Sequence, residues 1–148
     1  MTAQPVDVDI EALTPQQFAQ LVHDADDDVV RATFRAVDPK RALDRIFAIM
    51  QERYIPQGAS TVATIQWQIT DEGEQYDYVV QLNGAECLTR SGVAPRPATT
   101  LRTDIARFAR LAAGQANGVK LLMTHKLRAS GDVNLARKLQ GMFDIPSV

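Results

Sequence analysis

The chain has 148 residues, 45% of them hydrophobic, with a net charge of −2; this is one domain with enough apolar material for a core and no room for two. Residues 1–60 carry ten acidic and six basic side chains and the remainder eight and ten, with the basic residues from Arg102 to Lys138 separated by apolar positions as on a wet face, so no nucleic-acid partner is expected. Cys87 is the single cysteine and allows no intrachain disulfide, MTAQPVDVDIEAL lacks the basic start and apolar core of a leader, and no apolar run reaches membrane-spanning length, so the expected location is cytoplasmic without stable membrane anchoring.

In chain order, Thr14-Pro15-Gln16-Gln17 has the form of a capping box with proline at the first helical position. Leu13 and Phe18 would be its hydrophobic staple, and Phe18, Leu21, Val22 and Ala25 its buried face. A second helix is expected from Asp26, with three aspartates at its positive end and Val30, Thr33, Phe34 and Val37 as the stripe. Three consecutive carboxylates without alternating ligand spacing or a glycine turn read as a cap, not a metal site. Asp38-Pro39 restarts a helix to about Tyr54, with Leu43, Ile46, Phe47 and Met50 at helical spacing, and Ile55 to Ser60 forms a connection.

The period then changes from helical to alternating. Ala63, Ile65, Trp67 and Ile69 alternate with Thr64, Gln66, Gln68 and Thr70, which predicts a strand with one buried face. After a polar turn at 71–75, Tyr76, Tyr78, Val80 and Leu82 predict the next strand. Asn83-Gly84 suits a type I′ turn, so 85–90 should return antiparallel. Ser91 to Pro97 is a loop and Ala98 to Arg102 a fourth strand. Thr103 reads as a helix cap before Ile105, Phe108, Ala109 and Ala112, with Gly114 as terminator. A short helix at 117–123 carries Val119, Leu122 and Met123. Lys126 to Ser130 is a fifth strand, Gly131 a turn, and Asp132 the cap of a last helix bearing Leu135, Ala136, Leu139, Met142 and Phe143. The expected fold is α+β: a single, mainly antiparallel five-stranded sheet covered on one face by helices.

Motifs for chemistry are sparse. His23 and His125 lie far apart, with no HxxxH or CxxC spacing, so no metal or other cofactor is expected. No serine has the GxSxG elbow, and the glycines near Lys120 lack phosphate-loop spacing. Apolar surface remains in excess of polar instruction. Trp67, Tyr78 and Val80 facing helices rich in Leu, Met and Phe can close as a dry core or stay partly open around an apolar ligand.

The ending KLRASGDVNLARKLQGMF, Lys126 to Phe143, resembles the C-terminal end of the sterol carrier protein 2 family. Gly114 is followed eleven residues later by His125 and then KLRASGD, in step with that family's helix-ending glycine, short helix, strand and glycine-acid turn. Pro97, Thr99, Leu101 and the helix with Asp104 and Phe108 are similar to its proline, alternating strand and capped helix, and Ala63 to Leu82 is similar to its opening hairpin. The resemblance covers roughly Pro39 to Ile145 and divides the chain into an N-terminal helical extension, 1–38, and a lipid-binding domain, 39–148. His125 stands where the family usually has glycine, a bulky ring that would narrow an entrance; Ala98 stands where an acidic residue often follows the proline.

What the resemblance implies is a non-enzymatic carrier of a sterol, fatty acid, acyl-CoA or phospholipid. It would act as monomer or homodimer, with transient membrane contact and with the final helix as lid to a hydrophobic tunnel. The wall candidates it implies are Trp67, Ile69, Tyr78, Val80, Leu101, Phe108, Leu122, Met123, Leu127, Leu139, Met142 and Phe143, with no catalytic residue. The alternatives are a dimerising or partner-binding module with a filled core, and a small isomerase-like enzyme, which would need a buried carboxylate or His125 facing the cavity.

Overall fold

Thr14 accepts the backbone N–H of Gln17 while the Gln17 side chain accepts that of Thr14, and Pro15 opens helix α1, Pro15–Asp24. The computed structural model in which this capping box is seen describes residues 4–56 and 62–144. Asp26 caps α2, Asp27–Val37, by accepting the Val29 N–H, with Asp27 and Asp28 in its first turn. Pro39 opens α3, Pro39–Glu52. The part of the expected connection at 57–60 lies outside the described residues.

Strands β1, Val62–Asp71, and β2, Glu74–Asn83, form a hairpin whose Glu72-Gly73 turn has two positive φ values, 47° and 86°, as a type I′ turn requires. β3, Cys87–Ser91, returns antiparallel to β2. Its turn is not centred on Asn83-Gly84. Asn83 N–H donates to Glu86 O just beyond the last ladder pair, leaving Gly84 and Ala85 as the central residues; Gly84 alone of these has positive φ, 84°, the type II′ pattern, and Asn83 Oδ1 accepts the Glu86 N–H.

β4, Thr99–Asp104, runs parallel to β1, and β5, Arg128–Gly131, antiparallel to β4, giving the order β3-β2-β1-β4-β5. The sheet is therefore mainly antiparallel, as expected, with one parallel pair at its centre. Ile65, Trp67, Ile69, Tyr78, Val80 and Leu82 turn to the helices and are buried. The opposite face is not uniformly wet: Gln66 and its cross-strand neighbour Val79 are also buried. The Gln66 amide donates to the carbonyls of Tyr78 and Gly92 and accepts the Ala94 N–H at 2.7 Å, pinning the 92–94 segment to the sheet.

Thr103 belongs to β4, buried, with its hydroxyl donating to Lys126 O. The cap of α4, Ile105–Ala112, is Asp104, which accepts the Arg107 N–H. Both α4 and α5, Gly118–Met123, end in Schellman motifs. In the first, Gln115 N–H reaches Arg110 O and Gly114 N–H reaches Leu111 O; in the second, Lys126 N–H reaches Leu121 O and His125 N–H reaches Leu122 O. Gly114 and His125 occupy equivalent left-handed positions, with φ of 75° and 60°. The glycine that the resemblance implies at 125 would thus have a backbone reason, and the His125 ring, exposed, narrows no entrance.

Gly131 has φ 87°, and a Cβ there would meet Ala98 O at 2.4 Å. Asp132 caps α6, Val133–Leu139, which passes into a 3-10 turn at Gln140–Met142; Phe143 is already extended. The expected α-helix therefore stops short of Met142 and Phe143, next to Gly141, a residue of weak helical preference. Ile10, Leu13, Phe18, Val22, Val30 and Phe34 share one core with the sheet and α3 to α6. Arginines tie this N-terminal layer down: Arg110 donates to Val22 O, Ala25 O and Asp27 Oδ1, Arg45 to Leu13 O, and Arg35 to buried Asp71.

Candidate functional site: an apolar cavity between sheet and helices

Strand alternation brings Trp67 of β1 and Leu101 of β4 side by side on the helix-facing side of the sheet, in register with one another. Above them Phe108 of α4 meets the Trp67 ring edge to face, centroids 5.1 Å apart, and stacks on Phe47, which stacks on Tyr78 at 4.3 Å. This aromatic row fills the β2 side of the interior. On the β4 side a cavity remains, walled by Ile46, Ile49 and Met50 of α3, Phe18 and Ala19 of α1, Leu111 and Ala112 of α4, Leu127, and Ala136 and Leu139 of α6. It is narrow, about 80 Å³ in volume.

The polar side chains in the wall are held by hydrogen bonds to the backbone or to one another. Gln140 accepts the Gly118 N–H and donates to Leu111 O and Ala116 O, tying the end of α6 to α4 and α5. Arg53 donates to Asp144 Oδ2 at 2.6 Å and Asp144 O at 2.9 Å. That pair belongs to a strap in which Ile55 N–H donates to Met142 O and Asp144 N–H to Arg53 O, both at 2.8 Å, with Tyr54 bridged to Phe143. Tyr78, away from the cavity, donates its hydroxyl to Asp44 at 2.5 Å; burial first, and the Asp44 carboxylate second, push its phenol far above the ordinary value. Among the described residues no three His, Cys, Asp or Glu side chains converge as a metal would require.

Of the wall candidates drawn from the resemblance, Trp67, Leu101, Phe108, Leu127, Leu139 and Phe143 line this cavity. Ile69, Tyr78, Val80 and Met142 are buried in the core beside it, and Leu122 is partly buried against that core. Met123 is 75% exposed and lines nothing. α5 turns Leu121 and Leu122 toward the core, and one residue on, about 100° around a helix, Met123 faces solvent. Sequence reasoning missed the α1 residues, which a boundary at Pro39 set aside, and the Arg53–Asp144 pair, whose members lie 91 residues apart with no local pattern to join them.

A family model for the SCP-2 sterol transfer family matches residues 48–144. The chain belongs to that family. The match begins inside α3, so Phe18, Ala19 and Ile46 contribute to this cavity a wall from outside the matched segment. The crystal structure of Sterol Carrier Protein 2 Like 2 from Aedes aegypti is similar at 20% identity and TM-score 0.58, over 74% of this chain and 99% of that one. A solution structure of the palmitated protein from the same organism matches at 18% and 0.52, over 74% and 95%. A stereoselective inverting sec-alkylsulfatase from Pseudomonas sp. matches at 16% and 0.62, over 90% of this chain, which spans 24% of that enzyme's length. At these identities the likeness is one of fold. A search of curated protein sequences finds no match. Among the described residues no helix is long and apolar enough to cross a membrane.

Proposed function

We propose that this SCP-2 family protein binds and carries an apolar lipid in the cavity between its sheet and helices, with no catalytic chemistry of its own. The observation that carries the reading is an interior space walled almost wholly by apolar side chains on this fold. Each buried methylene contributes about 0.8 kcal/mol, so roughly ten would contribute about 8 kcal/mol before the entropy of association is subtracted, without a charged anchor. The enzyme alternative needs a buried carboxylate or His125 at the cavity; Asp144, the carboxylate in the wall, is exposed and engaged by Arg53, and His125 is exposed. The narrowness of the free space supports the second reading, a partner-binding module with a filled core.

Native mass spectrometry of the purified protein, followed by titration of the delipidated protein with palmitate, decides between them. An adduct of lipid mass, with a change in the emission of the single tryptophan Trp67, is the expected result. Neither adduct nor uptake, together with a tight dimer, would transfer the reading to the module.

A further inference from the structure

Positive charge is gathered toward one end of the chain. Residues 102–138 hold eight of its sixteen lysines and arginines but two of its eighteen acidic residues, Asp104 and Asp132, and both of these cap helices. In α2 and α3, Arg31, Arg35, Lys40 and Arg41 each meet a carboxylate. Within the basic segment Arg107 and Arg110 are paired with Asp104 and Asp27, whereas Lys120, Lys126, Arg137 and Lys138 are exposed and meet no carboxylate among the described residues. Between these cations α5 presents apolar surface to water. Met123, 75% exposed, is the barest large apolar side chain among the described residues, and Val119, one turn before it on the same side of the helix, is 39% exposed. Lys120 stands beside them, and Lys126 lies in the turn that closes the helix. The other side of α5 packs Leu121 and Leu122 on the core, and Gly118 lines the cavity. Gln140 ties the start of α5 to the end of α6, which carries Arg137 and Lys138.

We infer that the outer side of α5 docks on an anionic lipid bilayer, with Val119 and Met123 entering the interface and Lys120 and Lys126 meeting its negative headgroups. Docking sets one wall of the cavity against the membrane, where a carrier loads and releases; that role rests on the lipid-carrier reading, the docking itself on exposure and charge. Apolar burial and headgroup attraction reinforce one another at such a surface, and each lysine near it adds about fivefold in affinity. Nucleic acid is the poorer fit: its phosphates would engage the lysines and leave Met123 in water, and α5 offers no aromatic ring for a base.

Flotation of the full chain with vesicles of phosphatidylcholine, or of phosphatidylcholine and phosphatidylglycerol in equal parts, tests the docking. The protein should float with the mixed vesicles alone and be released by high salt. Lys120→Glu with Lys126→Glu should weaken binding about thirtyfold or more, and Met123→Ser about fivefold. Arg90→Glu with Arg96→Glu makes the same change of net charge at β3 and the 92–97 segment, and Val93→Ser removes an exposed apolar residue there; each should stay within about twofold of wild type. All these positions are exposed, so the fold should tolerate the changes. Equal losses from the two charge reversals reduce the effect to net charge and overturn the inference, as do failure to float or equal binding to both kinds of vesicle. A single-stranded oligonucleotide bound as tightly, and indifferent to Met123→Ser, assigns the face to polyanions and overturns it too. Palmitate titration of the same samples judges the carrier reading separately: uptake without flotation removes the docking and leaves the carrier, and flotation without uptake does the reverse.

Discussion

Replacing His125 by glycine should stabilise the protein. The residue ends α5 at the left-handed position of a Schellman motif, with φ 60°, where α4 uses Gly114 at 75°. An L-residue in that conformation costs about 1–2 kcal/mol, because its Cβ crowds the following carbonyl. Glycine removes that term but loosens the unfolded chain, which returns about 0.4–1 kcal/mol. The net gain should be about 0.5–1 kcal/mol, or a rise in Tm of about 1–4 °C for a chain of this size. Urea and thermal unfolding of wild type, His125→Gly and His125→Ala measure it. The alanine variant keeps a Cβ and should gain nothing, which separates the backbone effect from loss of the ring. Lipid uptake should be unchanged, since the ring is exposed and outside the cavity wall. A glycine variant no more stable than wild type, or one with altered uptake, would refute the assignment of residue 125 to a purely conformational role.

Gly131→Ala should cost about 2–4 kcal/mol, since a Cβ there would sit 2.4 Å from Ala98 O at φ 87°; a urea midpoint near that of wild type would contradict the packing of β5 on β4. Leu139→Asp puts an unpaired charge into the cavity wall and should abolish palmitate uptake, whereas Arg137→Ala, on the outer side of α6, should stay within about 0.5 kcal/mol of wild type and bind normally; equal binding by the two would show the helix phase to be wrong. Burial raises the Cys87 thiol to about 11, so at pH 8 it should react with a thiol reagent only slowly until denaturant is added; rapid native labelling would place β3 in solvent. A chain beginning at Pro39 loses Phe18, Val22, Val30 and Phe34 from the shared core and should no longer unfold cooperatively, although from sequence alone the downstream part is expected to fold without them; a cooperative melt of that fragment would restore the sequence expectation.

Local chemistry was what the sequence displayed most clearly. The Thr14-Gln17 capping box, the Asp26 and Asp132 caps and the alternation through Trp67 each depend on residues within a turn or two of one another, and each stands where it is expected. Shifts of one residue were not visible. Asp104 caps α4 because Thr103 is claimed by Lys126 O, and Gly84 leads its turn because Asn83 N–H bonds Glu86 O beyond the Leu82–Cys87 pair. The site was legible only in its strand-borne part. Trp67 and Leu101 follow from alternation and register, but which helix stripes face the cavity is decided by tertiary placement. Phe18 and Met123 both sit on apolar stripes, and the first lines the cavity while the second meets water.

The parallel contact between β1 and β4 also bears on how the molecule assembles. Ile65 can meet Thr99 only after the chain has run through β2, β3 and the 92–97 segment, whereas β1, β2 and β3 pair through two tight turns. The three-stranded meander is therefore the part of the sheet with the least loop entropy to overcome, and the β4–β5 half must be recruited to its open β1 edge afterwards. The cavity floor joins residues from both sides of that seam, Trp67 from the meander and Leu101 from the recruited half. Until the seam closes no complete chamber exists, and the nascent chain exposes along β1 an unpaired edge that is prone to association with other chains.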